Sequence, residues 1–152
     1  MGKGKITKIS RATINFMKTT ILVIGIVKNG DRVLLRKKPD GSPPYKETWY
    51  LFGGELNADN QNPDEVLIST LKKQTGVDIK TTERLGWDTE TKPDHDGNMT
   101  FYIYLDYLCE YVSGDLVPAE GIEKLEWVPI EQLSSYDLVP PSRKLFKKIG
   151  YL

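Results

Sequence analysis

The chain has 152 residues, 39% apolar and 28% charged, with 21 basic and 21 acidic side chains that cancel. That length fits one domain able to bury a core without disulfides or structural metal. A net charge of zero argues against nucleic acid as a partner recruited by bulk charge, and the single cysteine, Cys109, excludes an internal disulfide framework.

The first thirty residues carry Lys3, Lys5, Lys8, Arg11, Lys18 and Lys28 and no acid. Residues 1–18 are therefore read as a basic amino-terminal arm, partly ordered, and 19–152 as a single domain. The longest apolar run, ILVIGIV at 21–27, is too short to span a bilayer, and no small-residue cleavage pattern follows it. The expected setting is cytoplasmic, with no membrane contact. Cys109 lies in an aromatic, apolar run and is read as a buried structural thiol.

ILVIGIV, the pair Asn29-Gly30 and the run RVLLRKK predict a hairpin of two core strands. PDGSPPYKE at 39–47 predicts a loop, and TWYLFGGEL a strand that reaches or passes through Gly53-Gly54, where the backbone must come close to something. The next segment carries complete helix punctuation. Asn62 suits the N-cap, Pro63 the first position, Asp64 and Glu65 the first turn, Lys72 and Lys73 the last turn, and Gly76 the left-handed position beyond it. Val66, Leu67 and Leu71 give that helix an apolar face. Strands are expected around 83–89, from Met99 to Tyr111 and at KLEWVP, with a turn at KPDHDGN, a short helix at IEQLSSY and a last helix opening at Pro140 and stopping at Gly150. The order β, β, β, α, β, β, β, α, α implies a mixed sheet with helices on its faces.

In this order the chain resembles the Nudix (MutT-like) hydrolase family, whose box is G-x5-E-x7-R-E-U-x-E-E-x-G-U, where U is bulky and apolar. The strand Trp49 to Gly54, the helix with its N-terminal proline, Leu71, Gly76-Val77 and the later EWVP segment carry the resemblance. It implies an α/β (α+β) fold, a Nudix-type α/β/α sandwich with a mixed β-sheet and flanking helices. It also implies magnesium- or manganese-dependent hydrolysis of a nucleoside diphosphate derivative. The chemistry explains the box: hard divalent cations want several carboxylate oxygens, and acids three and four positions apart on a helix share one face.

Counting back from Gly76, the family's acids and arginine fall on Gln61, Ser69, Thr70, Lys73 and Gln74, none of them acidic. The loop after Gly54 is one residue longer than the pattern, and Phe52 stands where the family usually has proline. An ammonium at position 73 would repel a divalent ion by about 8 kcal/mol at ~4 Å and an effective dielectric of ~20. The catalytic set is thus expected to be degenerate, that of a pseudoenzyme, with no confident metal ligand. Glu55, Glu65 and Glu120 are the displaced carboxylates from which an active pyrophosphohydrolase could still build a site. A non-catalytic interaction module is the third reading. Asp94, His95 and Asp96 read as turn chemistry, and one histidine without a nearby cysteine builds no zinc site.

Ligand-binding features can outlast catalytic ones. Arg36 and Lys38, with Lys37 between them, are candidates for phosphate contact, and Trp49, Gly53 and Gly54 for the ligand-facing strand. Tyr45, Phe52, Trp87, Tyr102, Tyr104 and Tyr107 could stack on a base. The expected partner is a small phosphorylated ligand or nucleotide, and a homodimer stays open.

Overall fold

The structure is a computed structural model, and it describes residues 17–152. Of the arm read as 1–18, residues 1–16 lie outside the described residues, and Lys18 opens the first strand.

Seven strands form one mixed sheet: β1 Lys18–Asn29, β2 Arg32–Lys37, β3 Trp49–Tyr50, β4 Phe52–Leu56, β5 Asp78–Pro93, β6 Met99–Ser113 and β7 Lys124–Pro129. Among the described residues two α-helices accompany them, α1 Pro63–Thr75 and α2 Pro140–Lys148, with one 3-10 helix at Ile130–Ser135. The main path runs β3-β2-β1-β6-β5, with β4 also paired to β1 and β7 to β2.

The predicted hairpin forms, its turn closed by Gly30 at φ 62°, but β1 and β2 share register only at Lys28↔Val33 and Asn29↔Arg32. Beyond that point β1 turns to β4, from Gly25↔Phe52 to Ile21↔Leu56, while its other edge pairs in parallel with β6 from Lys18↔Thr100 to Lys28↔Glu110. A central strand covered on both faces reads as a continuous apolar run, which is why 21–27 lacks alternation. Its residues still divide by face. Val23 and Val27 join Leu34, Phe52, Leu67, Leu71 and Cys109 under α1, whereas Ile26 joins Val33, Leu35, Leu133, Leu145 and Phe146 under α2. Side chains of this kind contribute ~1.5–3 kcal/mol each when fully buried, so the two clusters fix both helices on the sheet.

Helix α1 is capped as its sequence demands. Asn62 Oδ1 accepts from the backbone N–H groups of Asp64 (3.0 Å) and Glu65 (3.3 Å), and Gly76 takes φ 78° past the end. Its last carbonyls are satisfied by the following loop, with Val117 N–H donating to Thr75 O and Ala119 N–H to Gln74 O. Gly25 lets the helix approach, since a Cβ there would sit 3.1 Å from Leu67.

Two expectations need correction. Strand β5 covers sixteen residues, with register shifts near Asp78, between Thr81 and Glu83, and between Arg84 and Gly86. Its sequence is polar and alternating because it is an edge strand, so apolar content located only its middle. The IEQLSSY segment is a 3-10 turn and not an α-helix.

Candidate functional site

The Gly53-Gly54 pair divides the molecule's two faces. A Cβ on Gly54 would lie inside van der Waals contact of Thr70 Oγ1 and 3.1 Å from Val66, so this glycine is pressed against α1. A Cβ on Gly53 would meet Ile24 Cδ1 at 2.7 Å on the opposite face. That face holds a cavity of about 370 Å³ between the sheet and α2, and Gly53 lines it.

On the α1 face, Thr70 is half-buried against Gly54 and Lys73 is exposed. Gln74 buries its Oε1 without a hydrogen-bond partner among the described residues. Lys72, beside them, is drawn away to Asp78 Oδ2 at 3.1 Å. Among the described residues no group of three or more His, Cys, Asp or Glu side chains is placed to hold a metal ion. Glu55, Glu65 and Glu120, the displaced carboxylates, are each exposed on separate elements: β4, the first turn of α1, and a turn before β7. A magnesium ion of the kind the resemblance implies does not fit the donors present, which are a threonine hydroxyl, an ammonium and an amide.

The cavity face is chemically richer. Alternation along β5 turns Asp88, Glu90 and Lys92 to it, and register with β6 sets Asp88 opposite Tyr104 and Glu90 opposite Tyr102. Tyr45, from the loop before β3, and Tyr104 both donate to Glu90 Oε1, the latter at 2.8 Å. Lys92 Nζ donates to Tyr45 Oη at 2.7 Å and Tyr104 Oη at 3.0 Å and pairs with Glu90 at 3.0 Å. Burial favours a neutral Glu90, but the donors from Tyr45, Tyr104 and Lys92 outweigh it and hold the carboxyl below its ordinary range. Burial lowers Lys92, opposed by the hydrogen bond and charge of Glu90, and raises both tyrosines, which stay neutral phenols.

At the α2 end stand Asp88 and Asp106. Lys144 Nζ lies 3.2 Å from Asp88 Oδ1, and Lys148 Nζ 3.8 Å from Asp88 Oδ2 and 4.0 Å from Asp106 Oδ2. Burial, then the hydrogen bond and charge of Asp88, pushes the Asp106 carboxyl up to about 8, while Asp88 is held below its ordinary range because the hydrogen bond from Asp106 and both lysines outweigh its own burial. Ser142, in the first turn of α2, accepts from Leu51 N–H at 3.1 Å and ties the helix to the break between β3 and β4.

The expected ligand contacts separate as follows. Arg36, Lys38 and Gly53 line the cavity. Arg36 gives its Nε–H to Leu51 O (3.0 Å) and stacks on Tyr50 at 3.9 Å, and burial lowers its pKa. Lys38 donates to the carbonyls of Ser42 and Tyr45 and so shapes the loop. Trp49 packs edge-on against Tyr136, ring centroids 5.1 Å apart, partly buried against the cluster under α2. Gly54 faces α1. Phe52 and Tyr107 are core, Trp87 is 71% exposed, and Tyr45 and Tyr104 reach the cavity. Burial also pushes the Cys109 thiol up to about 12, as an inert buried sulfur requires. Asp94 accepts from Asp96 and Asn98 N–H, both at 2.9 Å, which is turn chemistry. The sequence reading missed Asp88, Glu90, Lys92 and Asp106. For Asp88, Glu90 and Lys92 the signal was charge at every second residue of β5, and Asp106 continues the period of Tyr102 and Tyr104 on β6.

A family model described as NUDIX domain matches residues 18–149. The chain belongs to the NUDIX family. Among its relatives is a nucleoside triphosphatase NudI of Escherichia coli O81 (strain ED1a), 28% identical over 142 residues that cover 90% of this chain and 100% of that protein. Solved NUDIX structures share the fold. A NUDIX hydrolase from Nitrosomonas europaea superposes with a TM-score of 0.69 at 16% identity, covering 87% of this chain and 88% of the other. A MutT protein from Bacillus halodurans gives 0.67 at 22% identity, covering 84% and 80%. In this NUDIX chain, as the sequence implies, the sheet, the helix and the paired glycines stand without the acids of the box. No helix among the described residues is long and apolar enough to cross a membrane.

Proposed function

We propose that the protein binds a nucleotide or related phosphorylated ligand in the cavity between the sheet and α2, with metal-dependent diphosphate hydrolysis weak or lost. One observation carries this reading: the helix face that would hold the metal presents Thr70 against Gly54, exposed Lys73 and the buried amide of Gln74. Meanwhile the opposite face keeps a largely apolar cavity of about 370 Å³, edged by charged and tyrosine side chains, a size suited to a small molecule. The relation to a nucleoside triphosphatase supports a nucleotide as the ligand class.

The exposure of Lys73 means that its repulsion of a cation is screened by water, so the missing carboxylates are the larger effect. The test is a panel of nucleoside di- and triphosphates scored for binding and for hydrolysis, with and without magnesium or manganese. Wild type is compared with the triple variant Thr70→Glu, Lys73→Glu, Gln74→Glu. Wild type is expected to bind without measurable turnover and the triple variant to gain magnesium-dependent hydrolysis. Turnover by wild type at ordinary enzyme concentration overturns the proposal.

A further inference from the structure

Among the described residues four basic side chains line the cavity, and the fold engages three of them. Lys92 pairs with Glu90 at 3.0 Å and Lys144 with Asp88 at 3.2 Å. The Lys38 ammonium gives two of its hydrogens to the carbonyls of Ser42 and Tyr45. Arg36 is the exception. A guanidinium carries several N–H donors, and among the described residues only Nε–H has a protein acceptor, Leu51 O at 3.0 Å. Burial lowers its pKa, and no carboxylate stands near enough to oppose that.

The unused donors are open and their direction is fixed. Arg36 is half-buried, and neither terminal nitrogen belongs to the buried polar atoms that lack a partner, so both reach open space. The side chain lines the cavity where β2 parts from β1. Tyr50, its register partner on β3, stacks on the guanidinium at 3.9 Å, and the Phe52 ring lies at 5.4 Å. Stack and Nε bond together hold the plane of the group and leave its Nη edge free. That edge is a planar fork that matches two oxygens of a phosphate or carboxylate. Because a guanidinium stays charged when buried, only an anion can offset its loss of water.

We propose that Arg36 anchors the anionic group of the ligand, a phosphate or diphosphate taken directly by the Nη edge and without a metal ion. The inference rests on the nucleotide reading above and adds how the phosphate is held when the acids of the box are absent. Where magnesium mediates binding, the cation draws the diphosphate into the site. Here the guanidinium meets the phosphate oxygens itself, so magnesium in solution competes for them.

Calorimetric titration of ADP and UDP against adenosine and uridine, each with EDTA and with magnesium, tests this. In EDTA wild type is expected to bind at least one diphosphate about tenfold or more tightly than its nucleoside, the size expected of hydrogen bonds between charged groups. Magnesium should leave that advantage unchanged or reduce it. In Arg36→Gln the advantage should fall below about threefold while the nucleoside binds as it does to wild type, with a thermal melt confirming the fold. Equal binding of nucleoside and diphosphate, an advantage that needs magnesium, or one that survives Arg36→Gln overturns the proposal. The first two outcomes are read on wild type alone, so they decide even where the variant does not fold. Inorganic pyrophosphate separates this inference from the reading beneath it. If none of the four compounds binds at millimolar concentration but pyrophosphate does, and Arg36→Gln abolishes that binding, the nucleotide reading fails and the anion site stands. If pyrophosphate does not bind either, both fail.

Discussion

Thr70 is the residue of α1 that meets the glycine pair most closely. Its hydroxyl occupies the ground next to the Gly54 backbone, so the close approach that this glycine permits is used by a side chain of the helix. That contact predicts a sharp asymmetry between the two glycines. Gly54→Ala should destabilise by about 1–3 kcal/mol, because its Cβ meets Thr70 and Val66 on a helix that cannot move alone. Gly53→Ala should cost less, since the nearest atom is the mobile end of Ile24. Urea unfolding measures both, and the double variant Gly54→Ala, Thr70→Ala should recover part of the loss. Equal costs at the two positions would contradict this division of faces. The glycine pair was legible in the sequence because few other reasons produce two adjacent glycines in a strand. The packing of Trp49 was not legible, because an aromatic beside a glycine pair carries the same letters whether it meets a ligand or, as here, Tyr136.

Helix α1 was legible throughout because each end is written in local chemistry that tertiary contacts need not decide. Asn62→Ala removes the acceptor of two backbone donors and should cost about 1 kcal/mol in the same unfolding assay. Asn62→Asp should cost nothing measurable, as the carboxylate accepts the same bonds and complements the helix start. A null effect for the alanine variant would mean that the first turn is held by packing alone. Strand β5 shows the opposite case. Its ends at Asp78 and Pro93 are set by where β6 offers a partner, from Ser113 to Met99, and no local signal in a polar edge strand encodes that reach. The cavity residues Asp88, Glu90 and Lys92 were missed for the same reason: their common face exists only once the strand is known to extend through them. The carboxylates Glu55 and Glu65, near the box, and Glu120, well beyond it, illustrate the limit from the other side, since among the described residues no group of three such side chains meets at one point.

At the scale of the whole molecule, the acid pair links the cavity to folding stability. Asp106 has a carboxyl pushed up to about 8 by burial and by Asp88, against an ordinary value of 3.8 in the unfolded chain. Between those values the folded protein holds a proton that the unfolded chain has released. Raising the pH through that window therefore favours the unfolded state, and the contribution levels off above the folded value. Asp88 is lowered and acts in reverse, its stabilisation lost as pH falls below the ordinary carboxyl range, so the two members separate along the pH axis. The variant Asp106→Asn keeps a donor for Asp88 and has nothing to titrate. Its stability relative to wild type should rise steadily from about pH 4 to about pH 8 and then stay constant, read as the difference between two sets of urea unfolding curves. A difference that is flat across this range would show that Asp106 is charged in the folded protein.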